Sequence, residues 1–240
     1  NFDEFEQKIV EENVKLFLMC SPHNPVGRVW KEWELRKIGD ICLKHNVLVV
    51  SDEIHSDFTY GENIHHVFAS LDEKYAAITT TCTAPSKTFN IAGLKISNIV
   101  IPNDHLRKQL LEKNQRDFAS NALGIQACRI CYDDCGAWKD EMLCMIEYNY
   151  QQVKKFVEEK LPQIKVIELQ GTYLLWLDCT ALGLSDEELE KLTLGADLYL
   201  DEGYLFGPGG SGFERINLAC PTRYLMAAME RFQKAISALK

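Results

Sequence analysis

Thr83-Ala84-Pro85-Ser86-Lys87-Thr88-Phe89-Asn90-Ile91-Ala92-Gly93-Leu94-Lys95 is the stretch on which the reading of this chain turns. It follows a β-rich run, residues 77–82, with Pro85 marking a turn and Gly93 a hinge around a Ser-Lys pair. A lysine expected at the end of a buried strand is an unusual choice, because burying an ammonium is costly. Such surroundings weaken its hold on the proton and make the amine nucleophilic, which a Schiff-base lysine requires. A Ser-Lys pair by itself is an ordinary loop feature, so its weight depends on what stands at a distance from it.

Working outward, residues 47–50 form a short apolar run that ends in Ser51-Asp52-Glu53, and residues 15–20 form another, followed by a Pro/Gly loop over 21–27 that carries Asn24. With residues 95–101 these runs predict four strands. Amphipathic patterns predict helices over 1–13 and 31–45, the second ended by Asn46. Continuous β-branched and apolar runs separated by helices point to a parallel or mostly parallel sheet buried on both faces. A ligand of such a sheet lies outside the carboxyl ends of the strands, and the loops there carry Asn24, Asp52 and Lys87.

Further along, Asn103 is a cap for a helix running to about Phe118, and a second helical tract spans 137–160 before Pro162. Strands are expected over 164–169, 172–177 and 216–219, and a terminal helix over 224–239. Ser185-Asp186-Glu187-Glu188 is a capping box opening a helix to about Leu194. The second half reads as a small α+β domain, giving a division into 1–143 and 144–240.

The 240 residues are 46% hydrophobic and 25% charged, the balance of an ordinary globular chain with material for two cores. The net charge of −9 and the lack of a basic patch with interleaved aromatics argue against nucleic acid as a partner. No run of 18 apolar residues predicts a membrane span, and no signal peptide is expected at the start. Nine scattered cysteines suggest a reducing, cytoplasmic setting. Cys128, Cys131 and Cys135 fall at helical spacing, where cysteine serves as a small core hydrophobe. No second pair at zinc-finger spacing supports a metal site. The first residue, Asn1, lies inside a helical pattern with no initiator Met, which suggests a piece of a longer protein.

The segment around Lys87 resembles the cofactor-lysine motif of fold type I pyridoxal-phosphate (PLP) enzymes of the class I/II aminotransferase superfamily. Ser-Lys-Thr-Phe-Asn-Ile-Ala-Gly-Leu-Lys (86–95) looks like the cystathionine β-lyase-like (MalY/PatB) branch. The resemblance implies an α/β PLP-transferase fold: a partial large domain with a mostly parallel sheet, then a C-terminal α+β small domain. It makes Lys87 the cofactor lysine and the base at the substrate's Cα. Asp52 becomes the anion beside the pyridine nitrogen. Asn24, in Ser21-Pro-His-Asn-Pro-Val-Gly27, resembles the family's Asn-Pro-x-Gly donor to the ring phenolate. His55 stands where many relatives have a tyrosine bonding the same oxygen. Lys95 stands where many have a phosphate-binding arginine, and as a point charge it lacks the bidentate fork. Ser86 assists with the phosphate, while Ala84 replaces a serine that relatives often use there. Arg215, in an Arg-x-Asn-x-Ala context, is the family's substrate-carboxylate arginine. Arg223 is a weaker candidate for that role. His23, His65 and His66 have no matching role. The spacings Asn24–Asp52 (28), Asp52–Lys87 (35) and Lys87–Arg215 (128) suit the superfamily.

The implied activity is β-elimination from cystathionine or a related cysteine conjugate, giving a thiol, pyruvate and ammonia, in a cytoplasmic homodimer. Transamination uses the same residues and stays open. So does a non-catalytic, regulatory or truncated product, because family members have a further N-terminal part that supplies a phosphate-binding loop, the first strand and a ring-stacking aromatic.

Overall fold

The computed structural model describes residues 1–113 and 120–239. The chain divides into two compact units, the first comprising Asn1–Pro22 and Val29–Lys139, the second His23–Arg28 and Asp140–Lys240.

In the first unit, helix α1 (Phe2–Glu11) is capped by the Asn1 side chain, which accepts the Glu4 N–H at 3.3 Å. Strand β1 (Leu16–Cys20), helix α2 (Glu32–Lys44) and strand β2 (Leu48–Asp52) follow. Asn13 and Asn46, just beyond the two helices, take left-handed backbone (φ 48° and 55°), which asparagine tolerates at a helix exit. The short α3 (Glu73–Ala76) leads into β3 (Thr79–Thr83), the one-turn α4 (Pro85–Thr88) and β4 (Asn98–Val100). The sheet order is β1-β2-β3-β4, with β1, β2 and β3 parallel and β4 antiparallel to β3. Helices α5 (Asp104–Lys113) and α6 (Ala122–Asp134) complete the unit. The Asn103 carboxamide accepts the His105 and Leu106 N–H groups at 2.9 and 3.2 Å, as a cap does. The expected end of that helix at Phe118 lies outside the described residues.

One face of this sheet is sealed. Ile9 from α1 and Leu35, Ile38, Ile41 and Cys42 from α2 pack with Met19 and Val49, and Phe68 and Tyr75 close the same core. The other face departs from expectation. Leu16, Leu18 and Leu48 are 50%, 71% and 37% exposed, so the sheet is not buried on both sides. Helices α1 and α2 both lie on the Met19/Val49 side. A continuous apolar strand records that each face has been built for cover, without recording which segment provides it.

Gly39 in α2 faces the Tyr75 ring so closely that a Cβ would lie 2.5 Å from it. The ring has little freedom to retreat, since its hydroxyl donates to Asp40 Oδ1 at 2.9 Å and lies 3.1 Å from the Arg36 carbonyl. Gly39→Ala is therefore expected to destabilise the protein by about 1–3 kcal/mol through overpacking. The roughly 1 kcal/mol gain in helix propensity does not offset that. A denaturant midpoint equal to or above the parent's would refute this.

The second unit contains most of the long α7 (Gly136–Lys160), then β5 (Lys165–Val166), β6 (Leu174–Asp178), α8 (Asp186–Gly195), β7 (Asp201–Glu202), β8 (Phe213–Asn217) and α9 (Thr222–Ser237). Its strands pair antiparallel in the order β5-β6-β8-β7. The capping box is present: Ser185 Oγ accepts the Glu188 N–H at 3.3 Å, and Glu188 Oε2 accepts the Ser185 N–H at 2.9 Å. Helix α9 buries Leu225, Met229, Phe232 and Ile236, one stripe at helical spacing. Helix α7 buries Ile146, Tyr150, Val153 and Val157 together with Asn149. That asparagine is fully employed, donating to the Leu218 and Cys220 carbonyls and accepting from Thr222 Oγ1 at 2.7 Å. It ties the exit of β8 and the start of α9 to α7. Two sequence expectations shift here: the strand expected over 164–169 shortens to two residues, and β8 begins at Phe213, so Arg215 lies in mid-strand.

Candidate functional site

The expected site residues fall into two groups, one in each unit. Asp52, His55, Ser86, Lys87 and Lys95 belong to the first; Asn24 and Arg215 belong to the second.

In the first unit the group is built at the carboxyl ends of β2 and β3. Side chains alternate along β2, so Ser51 is turned into the core and Asp52 to the open face, where it is half-buried. Strand register places Cys20 and Cys82 on either side of Asp52, and one row up Leu18, Val50 and Thr80 continue the same surface. Asp52 Oδ1 accepts the Ile54 N–H at 3.2 Å, which fixes the carboxylate at the strand end. Burial, followed by the charges of Asp52 and Glu53, pushes the Cys82 thiol above its ordinary range.

Lys87 is the third residue of α4, the single turn that begins with Pro85 directly after β3. The sequence led to a buried lysine at a strand end; the structure corrects this to an exposed lysine. It follows β3 in a sheet one face of which leaves Leu16, Leu18 and Leu48 exposed. The turn itself is firmly held. Thr88 is buried and donates to Asp57 Oδ2 at 2.7 Å, and the neighbouring Phe89 ring lies 5.6 and 6.0 Å from those of Tyr132 and Trp138. Among the described residues the Lys87 ammonium has no hydrogen bond or ion pair, and the same is true of Lys95. Lys95 is exposed, with left-handed backbone (φ 48°) at the end of the turn 92–94. Ser86 is half-buried and its carbonyl accepts the Ile91 N–H. His55 is buried, its ring 5.8 Å from that of Phe58.

In the second unit, the loop 23–28 is fastened to 169–171: the Gly27 carbonyl accepts the N–H groups of Gln170 and Gly171 at 2.9 and 2.8 Å. Gly27 has φ 73°, and a Cβ there would lie 3.1 Å from the Gly171 oxygen. Both features call for glycine. This loop presents Asn24, whose Oδ1 accepts from Arg215 Nη1 at 2.7 Å. A guanidinium only donates, so the oxygen of the amide faces Arg215 and Nδ2 is the donor side. Arg215 also pairs with Asp201 at 2.6 Å and lies 4.5 Å over the Phe206 ring. Arg223 is exposed and stands over Tyr224 instead.

A family model, aminotransferase class I and II, matches residues 1–232. The chain belongs to this family. It is 42% identical over 240 residues to cystathionine beta-lyase PatB of Bacillus subtilis, and 31% identical to protein MalY of Escherichia coli. Each match takes in 99% of this chain, and 62% and 61% of the relative, so the chain spans about three-fifths of the length of these curated relatives. The crystal structure of cystalysin from Treponema denticola, which contains a pyridoxal 5'-phosphate cofactor, superposes with a TM-score of 0.97 at 45% identity, over 100% of this chain and 62% of that one. These likenesses bear out the expected α/β fold class with its mostly parallel sheet.

In this aminotransferase-family chain, sequence reasoning missed the surroundings of Glu53. The carboxylate is buried, accepting from Ser51 Oγ at 2.8 Å and from the Phe68 N–H at 3.1 Å, with His65 Nε2 2.8 Å from its other oxygen. It clasps residues 53–68, the loop that carries His55, to the end of β2. The signal was available. Glu53 continues the inward parity of Val49 and Ser51, and a carboxylate on a buried face must be paired. His65, left without a role in the sequence, is part of that pairing. Cys131 is buried on α6, and among the described residues no group of three His, Cys, Asp or Glu side chains could hold a metal ion.

Proposed function

We propose that the complete protein is a PLP-dependent carbon–sulfur β-lyase acting on cystathionine or related cysteine conjugates. The observation that carries this reading is the 42% identity to cystathionine beta-lyase PatB over the whole of this chain. The residues present suit PLP. An exposed amine without a partner among the described residues (Lys87) and a fixed carboxylate (Asp52) follow adjacent strands at the same sheet edge. The bound cofactor supplies an aldehyde for the amine and a ring that takes up electrons released at the substrate's Cα.

The chain's own residues do the rest. With the cofactor bound, Asp52 would keep its ring nitrogen protonated, Asn24 and His55 would serve as donors to its ring oxygen, and Ser86 and Lys95 would hold its phosphate. Arg215 binds the substrate's α-carboxylate, and Lys87 Nζ takes the Cα proton. Departure of the β-thiolate and uptake of one water give thiol, pyruvate and ammonia. The 1–143 and 144–240 segments are the cofactor-binding and small domains of a cytoplasmic homodimer that takes small amino-acid substrates and neither nucleic acid nor membrane. Among the described residues no helix is long and apolar enough to cross a membrane.

The test is the complete protein with PLP and L-cystathionine. Pyruvate and thiol in equal amounts without any added keto acid is the expected result. Turnover that requires a keto acid would assign transamination, and no turnover under either condition would refute both readings.

A further inference from the structure

Arg215 lies at the middle of the small antiparallel sheet, with Trp176 and Asp201 as its register partners on the same face. Its five N–H groups can be accounted for one by one. Nε and Nη2 both donate to Asp201 Oδ2, at 3.2 and 2.6 Å. Nη1 donates to Asn24 Oδ1 at 2.7 Å. One N–H on each terminal nitrogen remains. Phe206 lies under the guanidinium plane and is itself set edge-on to Trp176 at 5.7 Å, so the plane cannot tilt toward that side. The Arg215 side chain is 14% exposed and that of Asp201 is 54% exposed. A partly buried guanidinium is thus held along one edge by a carboxylate at the rim, through a single oxygen.

We propose that Asp201 is a positioning residue for carboxylate recognition. It fixes the Nε/Nη2 edge of Arg215 so that the remaining N–H groups of Nη1 and Nη2 meet the two oxygens of an amino-acid α-carboxylate. This deepens the reading of Arg215 as the carboxylate-binding residue and rests on it. Because Oδ2 takes both N–H groups of that edge, Asp201 restrains rotation about the arginine's last torsions without using the pair a bidentate ligand needs. As the side chain is at the rim on the two-residue strand β7, its replacement leaves the core intact.

The test uses the complete PLP-loaded protein and two probes: L-alanine, which has an α-carboxylate but no leaving group, and ethylamine, which lacks the carboxylate. Dissociation constants come from the cofactor's absorbance change. Asp201→Ala is expected to weaken L-alanine about tenfold, as for loss of a charge-assisted partner, and to leave ethylamine unchanged. KM for L-cystathionine rises in parallel while kcat stays within about twofold, the pattern of lost uniform binding. Asp201→Asn, whose carboxamide oxygen accepts the same N–H groups, is expected to stay within about threefold of the parent. Unchanged or tighter L-alanine binding in Asp201→Ala would overturn the proposal, the tighter case marking Asp201 as a competitor for Arg215. Arg215→Ala separates the two levels. If it weakens L-alanine no more than ethylamine, the reading of Arg215 fails and this proposal with it. If it weakens L-alanine selectively while Asp201→Ala does not, this proposal alone fails.

Discussion

Lys87→Ala in the complete protein is expected to abolish the absorbance of the lysine-linked cofactor and to lower β-elimination by about 10²–10⁴-fold, the usual contribution of a positioned acid–base group. The structure indicates why this loss would be chemical. Lys87 is exposed and makes no hydrogen bond or ion pair among the described residues, and surface substitutions of that kind shift stability by about 0.5 kcal/mol or less. Its turn is held by other groups, through the buried Thr88 and its bond to Asp57. The variant should therefore melt with the parent while losing the linkage. Turnover within tenfold of the parent, or an unchanged cofactor spectrum, would rule out Lys87 as the cofactor lysine.

Glu214→Gln is expected to remove a large loss of stability that the parent suffers between about pH 4.5 and 8. Glu214 is 1% exposed on β8, and neither carboxylate oxygen has a hydrogen-bond partner among the described residues. It faces Glu202 across the β7–β8 ladder, and the other charges acting on it are Glu190 and Asp186 from α8 and Asp201 from β7, all acidic. Burial, then these like charges, push its carboxyl from an ordinary 4.5 up to about 8. The folded protein therefore holds a proton that the unfolded chain releases. The resulting stability is fully present below pH 4.5 and is lost as pH rises through about 8. At 1.36 kcal/mol per pH unit the full loss is on the order of 5 kcal/mol. Glutamine matches the neutral acid in shape and never ionises. Its unfolding free energy should fall less steeply than the parent's between about pH 4.5 and 8 and exceed the parent's at the alkaline end. Parallel curves for the two proteins would show that Glu214 ionises freely in the fold.

Much of the fold was legible from local pattern. The runs ending at Cys20 and Asp52, the Asn103 cap, the capping box at Ser185 and the stripe of α9 are all short-range features. There the periodicity and the cap chemistry point to the same element. The weaker readings were those set by partners remote in sequence. Strand β7 is two residues long and exists through pairing with β8, and β8 starts three residues earlier than its own composition suggests because β6 runs alongside it.

The amino-acid order alone determined which residue types follow the strands of the first sheet: a carboxylate at 52 and an amine at 87. Local propensity places turns after apolar runs, and no packing is needed to know what those turns carry. Only the tertiary structure decided how exposed each group is and what it touches. Lys87 is open to solvent on a one-turn helix whose buried members are Pro85 and Thr88. Glu53 is paired inside the fold by Ser51, His65 and the Phe68 N–H. Arg215 is already held by Asp201 and Asn24 before any ligand arrives. Burial and hydrogen-bond partners are properties of residues far apart in the chain, and they arise only when the strands and helices pack.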